Sequence, residues 1–150
     1  MATVPGSSRR TSTRATPEEA ASLPVVTGIP RDGYIDDRES AQAMVREALS
    51  ALAAWREEGE RPPVGELHVD FADGVTIYTR DGVGVRIGRA EGPLGGLPTA
   101  ATAPGALWRE RLRRYDLVAA SLRASGDTAR MILVDQRARP DRITVRLAAR

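Results

Sequence analysis

A chain of 150 residues, 41% of them hydrophobic, is long enough for one domain with a real core, and the absence of Cys excludes disulfides and thiolate metal sites. All 22 basic residues are Arg, set against 20 acidic ones, and their placement is uneven: residues 1–110 hold 12 Arg and 16 Asp or Glu, net −4, whereas residues 111–150 hold 10 and 4, net +6. A basic end suits an acidic partner surface, while no run approaches the roughly 20 apolar residues of a membrane span and Arg9, Arg10 and Arg14 precede no apolar stretch that would make a signal peptide.

Residues 1–22 are mostly Ser, Thr, Pro, Ala and Arg and read as a disordered tail, because they bury too little to offset the entropy of ordering. The folded domain is expected over 23–150. It opens on Leu23-Pro24-Val25-Val26-Thr27-Gly28, a short edge-type strand with Pro near its start and Gly at its end. Asp36 is expected to cap a helix, with Glu39 reaching back. Met44, Ala48, Leu52 and Trp55 recur at helical spacing, Val45 and Leu49 widen the stripe, and Glu58-Gly59 end it.

A meander of three antiparallel strands follows. Leu67, Val69 and Phe71 should face inward from a strand over 66–71, with Glu66, His68 and Asp70 outward. Asp73-Gly74 turns the chain into a strand over 75–79 with Val75 and Ile77 inward. Asp81-Gly82 turns it again, and Val83, Val85 and Ile87 line a third strand that stops at Gly88. Residues 90–105, rich in Gly, Pro, Ala and Thr, read as a flexible loop. From Gly105 to Ser125 a second helix places Trp108, Leu112, Tyr115, Ala119 and Leu122 on one stripe, with Arg109, Arg111, Arg113, Arg114 and Arg123 elsewhere, and Gly126 stops it.

The chain ends in a hairpin. The first arm, Met131 to Arg137, starts as a nearly continuous apolar run; a polar connector with Pro140 and Asp141 leads to Arg142-Ile143-Thr144-Val145-Arg146-Leu147. In this last arm Ile143, Val145 and Leu147 share one face and Thr144 and Arg146 the other. One of the neighbours Thr144 and Val145 must turn its N–H outward, and that open edge is the expected docking place for a partner. The order β-α-β-β-β-α-β-β predicts an α+β fold: a largely antiparallel sheet with two helices packed on one face.

No catalytic constellation assembles from these residues. His68, the single histidine, is expected on a solvated sheet face with no partner; Glu66 and Asp70 beside it make too few ligands for a structural metal site. Gly82-Val-Gly84-Val-Arg86-Ile-Gly88 has the spacing GxGxxxG, alternates as a strand, and opens no helix, so it is not read as a dinucleotide loop. Ser121 and Ser125 have no base nearby. We therefore expect no enzyme activity, catalytic residue, cofactor, metal or small-molecule substrate. The alternative to a protein-binding role is a nucleic-acid-binding module using the Arg-rich last third; against it, Trp108 and Tyr115 lie in the apolar stripe and do not interleave the Arg residues, so nucleic acid is not expected as a partner.

Three stretches together resemble the cell-division protein family FtsQ/DivIB, in its extracytoplasmic β domain. Leu23-Pro24-Val25-Val26-Thr27-Gly28 is similar to LP-x-x-T-G, Gly82 to Gly88 is similar to G-x-x-V-x-L-G, and Val134-Asp135-Gln136-Arg137 with Asp141-Arg142-Ile143-Thr144-Val145-Arg146 is similar to I-D-L-R … D-R-V-x-V-R. Gln136 departs from the usual Leu. The resemblance implies a non-enzymatic divisome scaffold, at the inner membrane and facing the periplasm, whose partners are division proteins of the FtsB and FtsL type. It implies that an FtsB-type strand adds along Arg142, Ile143, Thr144, Val145, Arg146 and Leu147, and that Arg137 helps hold an acidic partner residue. The family also carries a cytoplasmic tail, one membrane span and a POTRA domain; none is expected in residues 1–22, so membrane association would need a span upstream of this sequence.

Overall fold

The computed structural model describes residues 16–57, 60–90, 104–136, 139 and 141–149. The elements run α1 (Pro17–Ser22), β1 (Val25–Thr27), α2 (Arg31–Asp36), α3 (Arg38–Glu57), β2 (Val64–Asp70), β3 (Gly74–Thr79), β4 (Gly84–Gly88), α4 (Pro104–Ser125), β5 (Ala129–Leu133) and β6 (Thr144–Leu147). With the two six-residue helices α1 and α2 set aside, this is the expected β-α-β-β-β-α-β-β order, and the fold is α+β.

All six strands form one sheet in chain order, β1 to β6. The pairs β2–β3, β3–β4 and β5–β6 are antiparallel, while β1–β2 and β4–β5 are parallel. A parallel neighbour needs a long crossover, usually a helix. The chain provides one at each place, α3 between β1 and β2 and α4 between β4 and β5.

The register builds a continuous apolar row across all six strands: Val26, Leu67, Ile77, Val85, Ile132 and Val145 are successive partners. Side chains alternate across a strand, so this row faces the helices and is closed over by Met44, Ala48, Leu52 and Trp55 of α3 and Trp108, Leu112 and Tyr115 of α4. Two further rows fall on the opposite face. One runs Val25, Glu66, Tyr78, Gly84, Met131, Arg146; the other runs Thr27, His68, Thr76, Arg86, Leu133, Thr144.

Several local expectations shift. The tail expected to reach residue 22 includes α1, which opens on a capping box: Thr16 Oγ1 accepts from the Glu19 amide, the Glu19 carboxylate accepts from the Thr16 amide, and Pro17 stands at the first helical position. Arg80 holds its end through a bond to the Ser22 carbonyl at 2.7 Å. The cap of α3 is Asp37, not Asp36, because α2 carries helical backbone through Asp36; Asp37 Oδ1 accepts from the Ser40 amide at 3.1 Å. The α3 stripe widens through buried Ala41, Ala51 and Ala54, and Leu49 is 50% exposed. The proposed stop at Glu58-Gly59 lies outside the described residues. Phe71 is exposed rather than inward, since β2 ends at Asp70 and the chain already turns there. Most of the 90–105 loop lies outside the described residues, as do Ala138 and Pro140 of the hairpin connector.

Candidate functional site

The hairpin forms as β5 paired antiparallel with β6, Leu133 opposite Thr144, Ile132 opposite Val145 and Met131 opposite Arg146. β5 stops at Leu133 and β6 starts at Thr144, shorter than the arms read from sequence; Arg142 and Ile143 precede the strand. Of the residues singled out there, Ile143 and Val145 are half-buried against the core, Arg142, Thr144 and Arg146 are exposed, and Leu147 is 54% exposed. Arg137 lies outside the described residues.

The sequence motifs interlock at the connector end of this hairpin. Asp135, its side chain only 6% exposed, accepts from Arg86 Nε of β4 at 2.9 Å. Gly88 has φ of +80°, and a Cβ there would stand 2.6 Å from Asp135 Cβ, so the glycine closing β4 makes room for the aspartate opening the hairpin. Gln136, where the family pattern has Leu, donates from Nε2 to Thr144 Oγ1 and ties the two arms together.

Backbone hydrogen bonds settle which way the edge points. The Val134 amide donates to the Arg86 carbonyl at 2.9 Å, toward β4. Peptide groups alternate in direction along a strand, so Leu133 and Met131 address β6, and their partners Thr144 and Arg146 turn inward. The Ala148 amide, donating to the Thr128 carbonyl at 2.8 Å, keeps the same phase. Val145 and Leu147 therefore turn N–H and C=O away from the sheet, where no strand pairs with them among the described residues.

The sheet's other edge is better protected. β1 has three residues, follows Pro24, and ends at Gly28, whose φ of +90° turns the chain aside toward Pro30 and α2. On its outer face Thr27 Oγ1 donates to Glu66 Oε1 and lies 3.0 Å from His68 Nδ1. His68 is thus not the partnerless residue read from the sequence. Among the described residues no group of three or more acidic or His side chains is placed to hold a metal ion.

On α4, Arg109 pairs with Glu57 at 2.7 Å, Arg114 with Glu110 at 2.8 Å, and Arg111 donates to the Ile87 and Arg89 carbonyls at 2.6 and 2.7 Å while lying 5.5 Å from the Trp108 ring centre. Arg111 was expected on the solvent side; its contacts put it over the core-facing Trp instead. Three of the five α4 Arg residues are thus engaged within the fold, while Arg113 and Arg123 are exposed with no ion pair among the described residues, and the nucleic-acid reading is not supported. Arg130, Arg139, Arg142 and Arg146 of the hairpin are exposed too, and none has an ion pair among the described residues.

The family description "Cell division protein FtsQ/DivIB, C-terminal" matches residues 7–143 of the chain. The chain is 31% identical over 139 residues to a cell division protein FtsQ of Anaeromyxobacter sp. (strain K), covering 91% of this chain and 42% of that protein. It is 28% identical over 138 residues to a cell division protein FtsQ of Myxococcus fulvus (strain ATCC BAA-855 / HW-1), covering 91% of this chain and 43% of that one. The chain therefore spans about two-fifths of the length of these relatives.

Proposed function

The chain belongs to the FtsQ/DivIB family of cell-division proteins, and on that premise we propose that it is a non-enzymatic scaffold of the division machinery that binds a partner of the FtsB or FtsL type by strand addition along β6. Its place of work in this reading is the periplasmic side of the inner membrane, at the septum. No helix among the described residues is long and apolar enough to cross a membrane.

The observation that supports the reading is the direction of the edge. Val145 and Leu147 send their donors and acceptors outward at the end of a six-strand order, which is what an added strand needs. Side chains enter second: Arg142, Ile143, Thr144 and Arg146 flank the edge, and Arg137 keeps its proposed role against an acidic partner group.

Proline substitution tests this, because proline removes an amide donor and is tolerated on an edge strand where that donor faces solvent. Val145→Pro and Leu147→Pro should each weaken capture of a FtsB-type segment by about tenfold while β5–β6 pairing survives, the loss of one edge hydrogen bond and its neighbours' alignment. Thr144→Pro, whose amide addresses β5, should instead lower the melting temperature. If folded Val145→Pro, Leu147→Pro and Arg137→Glu proteins all bind like wild type in a pull-down, β6 is not the docking edge.

A further inference from the structure

The edge also specifies what kind of strand can be added, an inference that rests on the strand-addition reading above. A seventh strand would extend the three rows already crossing the sheet. On the helix side the apolar row ends at Val145, and the neighbouring Leu147 pairs with the buried Ala129 yet is itself 54% exposed. That is apolar surface awaiting a cover at the end of the core. On the opposite face the outer rows end at Arg146 and Thr144, both exposed. Arg130, Arg139 and Arg142 lie on the same hairpin, also exposed and without an ion pair among the described residues, so basic charge gathers at this edge.

We propose that β6 selects a partner strand of alternating apolar and acidic residues, its apolar side chains on the helix side beside Val145 and Leu147 and an acidic side chain on the outer face beside Arg146. The backbone phase favours this arrangement. Because Arg146 turns its peptide groups inward, a residue placed opposite it in an antiparallel strand occupies a non-hydrogen-bonded pair. In such a pair the side chains approach more closely than in the alternate one, and an opposite-charge pair there is stabilising while like charges repel.

The test uses the whole chain and three eight-residue peptides followed by fluorescence anisotropy: alternating Val and Glu, alternating Val and Lys, and the residues of the first rearranged as a Val block followed by a Glu block. The Val/Glu peptide should bind, the Val/Lys and block peptides at least about fivefold more weakly, as a repulsive contact or a lost apolar face implies. Arg146→Glu, an exposed position that should leave the melting temperature unchanged, should reverse the preference between the two alternating peptides, and 0.5 M salt should shrink it. If Val145→Pro weakens binding but all three peptides bind wild type alike, or Arg146→Glu leaves the preference unaltered, strand addition stands and the proposed specificity is overturned. Failure of the Val/Glu peptide to bind at millimolar concentration overturns it as well. Binding of that peptide undiminished by Val145→Pro and Leu147→Pro sinks the edge reading itself.

Discussion

One guanidinium joins both long helices to the connection ahead of β2. Arg61 Nε and Nη2 form a fork on the Asp116 carboxylate at 2.9 and 2.8 Å, and Nη1 caps the Ala54 and Trp55 carbonyls at the end of α3 at 3.1 and 2.9 Å. Its side chain is 4% exposed, and Trp55 lies beneath it and 5.0 Å from the Tyr115 ring. Nothing in the sequence marked Arg61, because Asp116 is 55 positions away and composition does not distinguish a clamping Arg from a solubilising one. Arg61→Ala should cost about 2–4 kcal/mol, near the lower range for breaking a buried pair because Asp116 stays half in water. Arg61→Lys should recover only part of that, since an ammonium cannot fork on a carboxylate and cap two carbonyls together. Urea denaturation of the two variants decides it; an unchanged midpoint for Arg61→Ala would remove the clamp from the account. At the candidate site the same contrast holds at Asp135: the sequence flagged it within a motif, but its pairing with Arg86 and its packing against Gly88 became visible only once β4 and β5 were neighbours.

At the scale of elements, legibility followed burial. The α4 stripe was readable because Trp108, Leu112 and Tyr115 meet the core at a helical period, and they are buried while Arg109, Arg113 and Arg123 are exposed. Leu112→Ala, at a fully buried position, should lower stability by about 2–5 kcal/mol, read from a thermal melt. The short helices escaped notice for the opposite reason: neither α1 nor α2 has a buried residue, so no apolar period exists to find. The Thr16-Pro17-Glu18-Glu19 signal was present and could have found α1. Parallel pairing of β1 and of β5 also left no local trace, because direction is set by the crossover helices. The turn after β2 offers a pH prediction. Asp70 Oδ1 accepts from the Ala72 and Asp73 amides at 2.7 and 2.9 Å, and the backbone bond from Asp73, then that from Ala72, holds its carboxyl below the ordinary aspartate value. A lowered folded-state value means its contribution is present above the unfolded-state value and is lost as pH falls through the folded one. Asp70→Asn, which keeps an acceptor, should flatten that acid limb of the stability curve. Asp70→Ala should lower stability at neutral pH by about 0.5–1 kcal/mol. An acid limb identical in wild type and Asp70→Asn would exclude this turn as its source.

Across the whole molecule, the candidate edge was legible as a strand, since Ile143, Val145 and Leu147 alternate with Thr144 and Arg146. Its phase was not, because hydrogen-bond direction depends on which residue of β5 faces β4, a fact about two other strands. That phase makes a prediction for hydrogen exchange, which reports how readily each amide opens. Val85 and Ile132, in the row fully enclosed between sheet and helices, should exchange only on global unfolding. Along β6 protection should alternate: Thr144 and Arg146, donating inward to β5, exchange slowly, whereas Val145 and Leu147, donating to water, exchange at rates near those of an unstructured chain. A fraying hairpin would instead expose all four amides together, and a slipped register would protect Val145 at the expense of Thr144. Adding a partner segment should slow Val145 and Leu147 selectively and leave Thr144 nearly unchanged. Slow exchange at Val145 in the free protein would mean that the phase assigned to β6 is wrong. Partner-induced protection confined to α4 or β1 would move the docking surface away from this edge altogether.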